Sequence, residues 1–123
     1  MIEFRVDGQP VPQGSMKVIN GHVIHSRGSA LAAWRSAIAL AARKAGGFPT
    51  REPITMTMTF IFARPKTVKR LEPSVPPDLD KLVRAVLDAL TAIAYIDDGQ
   101  VVELYAKKMY GGTPGVKVQV ATR

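Results

Sequence analysis

The sequence predicts an α+β fold, a small single domain in which a mixed, largely antiparallel sheet packs against two main helices. Three observations predict it. Ile54-Thr55-Met56-Thr57-Met58-Thr59-Phe60-Ile61-Phe62 alternates apolar and polar almost throughout, the period of a half-buried strand. Leu79, Leu82, Val83, Val86, Leu87, Leu90 and Ile93 recur at helical spacing, the stripe of a core-facing helix of about four turns. The 123 residues suffice for one hydrophobic core and leave no length for a second domain.

The remaining elements follow in chain order. Ile2 to Val6 alternates as a first strand, and Gly8 to Ser15 is a loop by composition. Asn20-Gly21 between Val18-Ile19 and Val23-Ile24 predicts a hairpin over Lys17 to His25. Ser29 is an N-cap candidate for a helix whose stripe is Leu31, Trp34, Ile38 and Ala42, and Gly46-Gly47 stop it. After the long strand, Arg64 to Pro77 carries Pro65, Lys66, Lys69, Arg70, Pro73, Pro76 and Pro77, a basic loop that no regular element accommodates. Beyond the second helix, Tyr95 to Gln100 reads as a turn, Val101 to about Tyr110 as a strand, and Val116, Val118 and Val120 as one face of a last strand. The last two strands are expected to be antiparallel neighbours.

Composition narrows the function classes. Seventeen Lys and Arg against ten Asp and Glu give a net charge of +7, which favours encounter with polyanions. The absence of cysteine excludes disulfide frameworks, thiolate zinc sites, iron–sulfur clusters and Cys nucleophiles together. Two histidines, His22 and His25, are too few for a His-rich metal site, so any metal is held mainly by oxygen. No apolar run reaches the roughly 18 residues of a membrane span, and the opening residues alternate like a strand. A cytoplasmic protein is expected, with no membrane partner and no organic cofactor.

Four of the ten acidic residues fall in two tight groups, Asp78-Leu79-Asp80 at the start of the second helix and Asp97-Asp98 beyond its end. Carboxylates near phosphate repel it unless a cation lies between them, and Mg²⁺ prefers such hard oxygen ligands. The structural alternative is equally concrete. Asp78 is a natural N-cap, Asp80 complements the helix dipole and can pair with Arg84 at i+4, and Asp97-Asp98-Gly99 is ordinary turn chemistry. A straight helix of some 15 residues separates its ends by about 22 Å. The two groups therefore meet only if the chain doubles back antiparallel to the helix, or if Asp78 and Asp80 lie in an extended segment before a shorter one.

The segment Pro77-Asp78-Leu79-Asp80-Lys81-Leu82-Val83-Arg84-Ala85-Val86-Leu87-Asp88-Ala89-Leu90, followed by Tyr95-Ile96-Asp97-Asp98-Gly99-Gln100-Val101-Val102, resembles the signature of the RusA family of Holliday junction resolvases. The compound pattern of D-L-D-x-L, L-D-A-L and D-D-x-Q-V-V is far more specific than D-x-D alone. Many members are encoded by phages and prophages. The resemblance implies a homodimeric, Mg²⁺-dependent endodeoxyribonuclease that binds four-way DNA junctions and nicks two strands symmetrically. It implies Asp78, Asp80 and Asp98 as catalytic metal ligands and leaves Asp97 as an adjacent acidic position. Asp88 is taken as structural. Arg84 stands where the family's characterised member carries an essential lysine, so it keeps the charge but cannot donate a proton at neutral pH. Lys81, beside Asp80, is a second cation that can share the work.

Candidate DNA contacts are Lys17 with the Gln13-Gly14-Ser15 loop, Arg64, Lys66, Lys69, Arg70 and Lys81, because loop cations can follow a bent phosphate backbone. Met56 and Met58 are core candidates, and His25 reads as a surface residue. The dimer contact is expected around Trp34 on the Ala-rich helix or on the faces of the long strand. Two other readings stay open: a basic nucleic-acid-binding module without catalysis, and a small structural protein that binds DNA of any shape.

Overall fold

In a computed structural model, residues 1–14, 16–19, 22–25 and 28–123 are described, with side chains for 1–14 and 28–123. The elements are β1 (Ile2–Asp7), β2 (Met16–Ile19), β3 (His22–His25), α1 (Gly28–Lys44), β4 (Ile54–Phe62), α2 (Leu79–Leu90), a 3₁₀ turn (Asp98–Gln100), β5 (Val101–Tyr110) and β6 (Gly115–Thr122). The fold is α+β, with a mixed four-stranded sheet and two helices. No helix among the described residues is long and apolar enough to cross a membrane.

The sheet order is β1-β6-β4-β5. β6 pairs antiparallel with both β1 and β4, whereas β5 pairs parallel with β4. The two last strands do run in opposite directions, but they are not neighbours, because β4 lies between them. The reason is the crossover: β4, α2 and β5 form a β-α-β unit that returns the chain parallel to β4, leaving the other edge of β4 for β6. The ribbon of β2 and β3 forms as expected, with Val18 opposite Val23, while its Asn20-Gly21 turn lies outside the described residues.

One sheet face carries the core. Val6, Val116, Val118, Val120, Ile54, Met56, Met58, Phe60 and Phe62 are buried on it, together with the stripes of both helices. Trp34 is buried, so it is a core residue and not a free contact surface. β4 is an inner strand of the sheet, and Thr57 is exposed on its face opposite the core.

Helix α1 begins at Gly28, which places Ser29 inside the first turn instead of at the cap. It ends where Gly46 takes a φ of 97° and Gly47 N–H returns to Ala42 C=O. A Cβ on Gly47 would meet that carbonyl oxygen at 2.8 Å, so the stop requires glycine there.

Helix α2 is three residues shorter than its apolar stripe. Thr91 takes an extended ψ of 131°, its hydroxyl donates to Leu87 C=O, and Ala92 adopts a φ of 65°. Ile93 still packs against the core, but from a turn. Fully buried Tyr95 locks this turn by donating its hydroxyl to the same Leu87 carbonyl at 2.7 Å. Burial, with the Asp98 charge adding to it, pushes the phenol above its ordinary range, so it remains a donor at any working pH. Tyr95→Phe is expected to cost about 1 kcal/mol in urea unfolding, since Thr91 still satisfies the carbonyl.

Candidate active site

The β-α-β crossover positions the acidic groups. β5 runs parallel to β4 and therefore opposite to α2, so the turn carrying Asp97 and Asp98 doubles back along the helix. Asp98 reaches the level of Arg84, whose guanidinium Nη1 donates to Asp98 Oδ2 at 2.6 Å. The same nitrogen lies 3.6 Å from Asp88 Oδ1, the i+4 carboxylate. Arg84 thus pairs toward the helix C-terminus and away from Asp80, contrary to the expected Asp80 to Arg84 pair. Partial burial pulls the guanidinium pKa down, but hydrogen bonding and charge from Asp98, with Asp88 behind it, raise it overall. Arg84 is a permanent cation.

Asp78 occupies the N-cap position with extended backbone, φ −69° and ψ 139°, yet its side chain makes no capping hydrogen bond. Asp80 follows in the first turn of α2. Both are exposed, and among the described residues neither forms an ion pair. The capping account of Asp78 therefore fails at the atom that defines a cap. Asp97 behaves oppositely: its Oδ2 accepts from Gly99 N–H at 2.8 Å, the cap of the 3₁₀ turn. Of the adjacent pair, Asp97 builds the turn and Asp98 faces the helix.

Gln100 is the residue that sequence reasoning passed over. Its Oε1 accepts from Ile96 N–H and Asp97 N–H, and its Nε2 donates to Thr50 C=O and Glu52 C=O, all at 2.9 Å. One side chain therefore fixes the turn that presents Asp98 and ties it to the segment entering β4. The signal was the glutamine in D-D-x-Q, three residues after a capping aspartate, which is a capping-box spacing. Gln100→Ala is expected to lower unfolding stability by about 2 kcal/mol, as four backbone groups lose their partner. Gln100→Glu, which keeps the acceptor and loses the donor, is expected to fall between the two in the same urea titration.

The basic loop is pinned at two places. Arg70 Nε donates to Tyr110 Oη at 3.1 Å, and Lys108 Nζ donates to Val75 C=O and Pro77 C=O at 2.8 and 3.0 Å. Arg64 donates to Arg70 C=O at 3.5 Å. Lys66 and Lys69 are exposed on the same loop. The N-terminal loop also reaches α2, where Gln13 N–H donates to Lys81 C=O at 2.9 Å. Lys81 is partly buried at that junction. The side chains of Lys17 and His25, and Ser15 altogether, lie outside the described residues.

The donor set fits Mg²⁺ in kind, since it consists of hard carboxylate oxygens and two of them are uncommitted. Gln13 adds a buried Oε1 with no hydrogen-bond partner on the loop bound to the first turn of α2. Among the described residues, however, no three acidic or imidazole side chains of one chain converge as a metal-holding group.

The acidic groups at the start of α2 and in the turn before β5 thus share one β-α-β unit with Arg84, in a chain of net charge +7. The chain matches Endodeoxyribonuclease RusA over residues 7–121, and it belongs to that family of DNA-cleaving nucleases. It is also 33% identical to the uncharacterized protein YqaN of Bacillus subtilis (strain 168), over 97% of this chain and 94% of that protein.

Proposed function

We propose that this nuclease resolves four-way DNA junctions as a homodimer, cutting two strands symmetrically in a Mg²⁺-dependent reaction. The observation that carries the reading is the state of the carboxylates: Asp78 stands at a helix start without capping it, and Asp98 is delivered to the same helix by a turn that Asp97 and Gln100 hold. Asp78, Asp80 and Asp98 hold the ion. When bound, Mg²⁺ polarises a phosphoryl oxygen and lowers the pKa of a water for in-line attack.

The other groups serve binding and charge. Arg84 offsets charge developing on the phosphate, and as a permanent cation it does so without moving a proton. Lys66 and Lys69 track the DNA backbone from a loop that Arg70 and Lys108 hold in place, with Lys17, Arg64 and Lys81 as further phosphate contacts. Removing charge at Lys66, Lys69 and Arg70 together is expected to weaken junction binding and to flatten the slope of log K against log salt by about 2 to 3. Fluorescence anisotropy over a salt series reads both.

A labelled four-way junction and a linear duplex of matched sequence, each incubated with and without Mg²⁺, test the function. Nicking of the junction alone, and only with Mg²⁺, is the expected result. Mg²⁺-independent binding with no cleavage would instead establish the non-catalytic binding module.

A further inference from the structure

The basic loop encloses a cleft of about 150 Å³ between itself and the ends of β4 and β5. Its walls are mostly apolar: four prolines, Pro65, Pro73, Pro76 and Pro77, stand with Phe62 and Tyr110. An apolar cavity of about that volume holds one planar ring.

The loop that forms the cleft is fastened across it. Arg70 Nε donates to Tyr110 Oη, and Lys108 Nζ donates to the carbonyls of Val75 and Pro77, so both ties run from the loop to β5. Proline fixes φ at four positions of the wall, which leaves the backbone few ways to collapse inward.

The polar groups present are those that suit a nucleic acid. No carboxylate lines the cleft, whereas Arg70 and Lys108 both do. Each keeps donors in reserve, because Arg70 is engaged through Nε and Lys108 through two bonds of a three-donor ammonium. Exposed Gln9 adds a carboxamide that both donates and accepts, with no side-chain hydrogen bond among the described residues. Aromatic rings and guanidinium planes are the surfaces on which unstacked bases lie, and a few convergent polar groups then read the base edge.

Position relates the cleft to the carboxylates. Pro77 lines it and is bonded directly to Asp78, one residue or about 3.8 Å along the chain. Lys66 and Lys69 are exposed on the same loop. A base lodged in the cleft therefore brings its adjoining phosphate to the level of Asp78, between the carboxylates and the loop cations.

We propose that the cleft receives one nucleobase of the bound DNA, unstacked beside the phosphodiester that is cut. Its use at the branch of a four-way junction rests on the function proposed above; the base pocket itself rests on the cleft and on DNA as the substrate. A base at a branch has lost a stacking neighbour, so withdrawing it costs less than from a continuous duplex. Once lodged, it fixes which phosphate meets Asp78 and Asp80.

Ala63 and Val75 line the cleft and are exposed, so Ala63→Trp and Val75→Trp fill it without entering the core. Fluorescence anisotropy compares a short single strand with an abasic strand of equal length and charge. Wild type is expected to bind the base-bearing strand about tenfold more tightly, the effect of one stacked base, and the filled variants to bind the two strands alike. Tyr110→Leu, which removes the ring, asks the same question if a tryptophan variant fails to fold. Equal binding of both strands by wild type, or the full difference kept by every folded variant, overturns the pocket.

The place of the base is read with 2-aminopurine, which brightens when unstacked, set in turn at each nucleotide beside the branch, in EDTA so that no strand is cut. One position in each strand that is cut is expected to brighten severalfold with wild type and to stay dim with Ala63→Trp. A junction bound in preference to duplex with no bright position overturns the use of the pocket at the branch. A junction bound no better than duplex overturns the junction reading instead, and the single-strand comparison still decides the pocket.

Discussion

Asp78→Asn, Asp80→Asn and Asp98→Asn are each expected to lower junction cutting by about a thousandfold, a loss of about 4 kcal/mol of transition-state stabilisation, while junction binding stays equal or tightens. Removing a carboxylate weakens metal binding and also removes repulsion of the phosphate. Asp78 has no capping bond to lose and Asp80 no ion pair among the described residues, so neither change is expected to move stability much. Asp88→Asn separates the roles: it relaxes a 3.6 Å contact with Arg84 and is expected to retain most cutting. Cleavage and gel-shift assays on the same preparations read these outcomes, and near-normal nicking by any of the first three would reduce that residue to a structural one.

Arg84→Ala is expected to lose about a hundredfold in cutting, whereas Arg84→Lys stays within about tenfold of wild type. The guanidinium stands 2.6 Å from Asp98, where a cation both holds the carboxylate and meets developing phosphate charge. Lysine keeps the charge and loses only the planar fork. Arg84→Ala is also expected to bind Mn²⁺ more tightly, because Asp98 no longer has a competing cation. A lysine variant as inactive as the alanine variant would show that the fork geometry is used.

Most of the architecture was legible in the sequence because its signals are local. The alternation over Ile54 to Phe62, the valine face of β6 and the helical stripe from Leu79 all register the one core they share. Where the stripe ran on to Ile93, side-chain hydrogen bonds intervened that no apolar periodicity registers: Tyr95 and Thr91 both donate to Leu87 C=O where the helix ends. Sheet order was not legible either, since strand adjacency depends on the crossover through α2 and no pattern along the chain encodes it.

The site was legible in its residue types and not in its pairings. The acidic groups stood out by clustering, but three features required the fold: Arg84 turning to Asp98, Asp78 leaving α2 without a side-chain cap, and the reach of Gln100 to Thr50 and Glu52. Lys108, indistinguishable from a solvated lysine in the sequence, proves to anchor the basic loop through two carbonyls.

Paired, symmetric cutting of a junction by one protein dimer is the activity proposed for this nuclease. Its most direct measurement labels each of the four strands of a junction in turn and maps the cuts in Mg²⁺ under single-turnover conditions. Cuts are expected in two opposite strands at symmetry-related positions, both made within one binding event, with the linear duplex intact. Cuts distributed equally over all four strands and the duplex, or single nicks that never become paired, would contradict it.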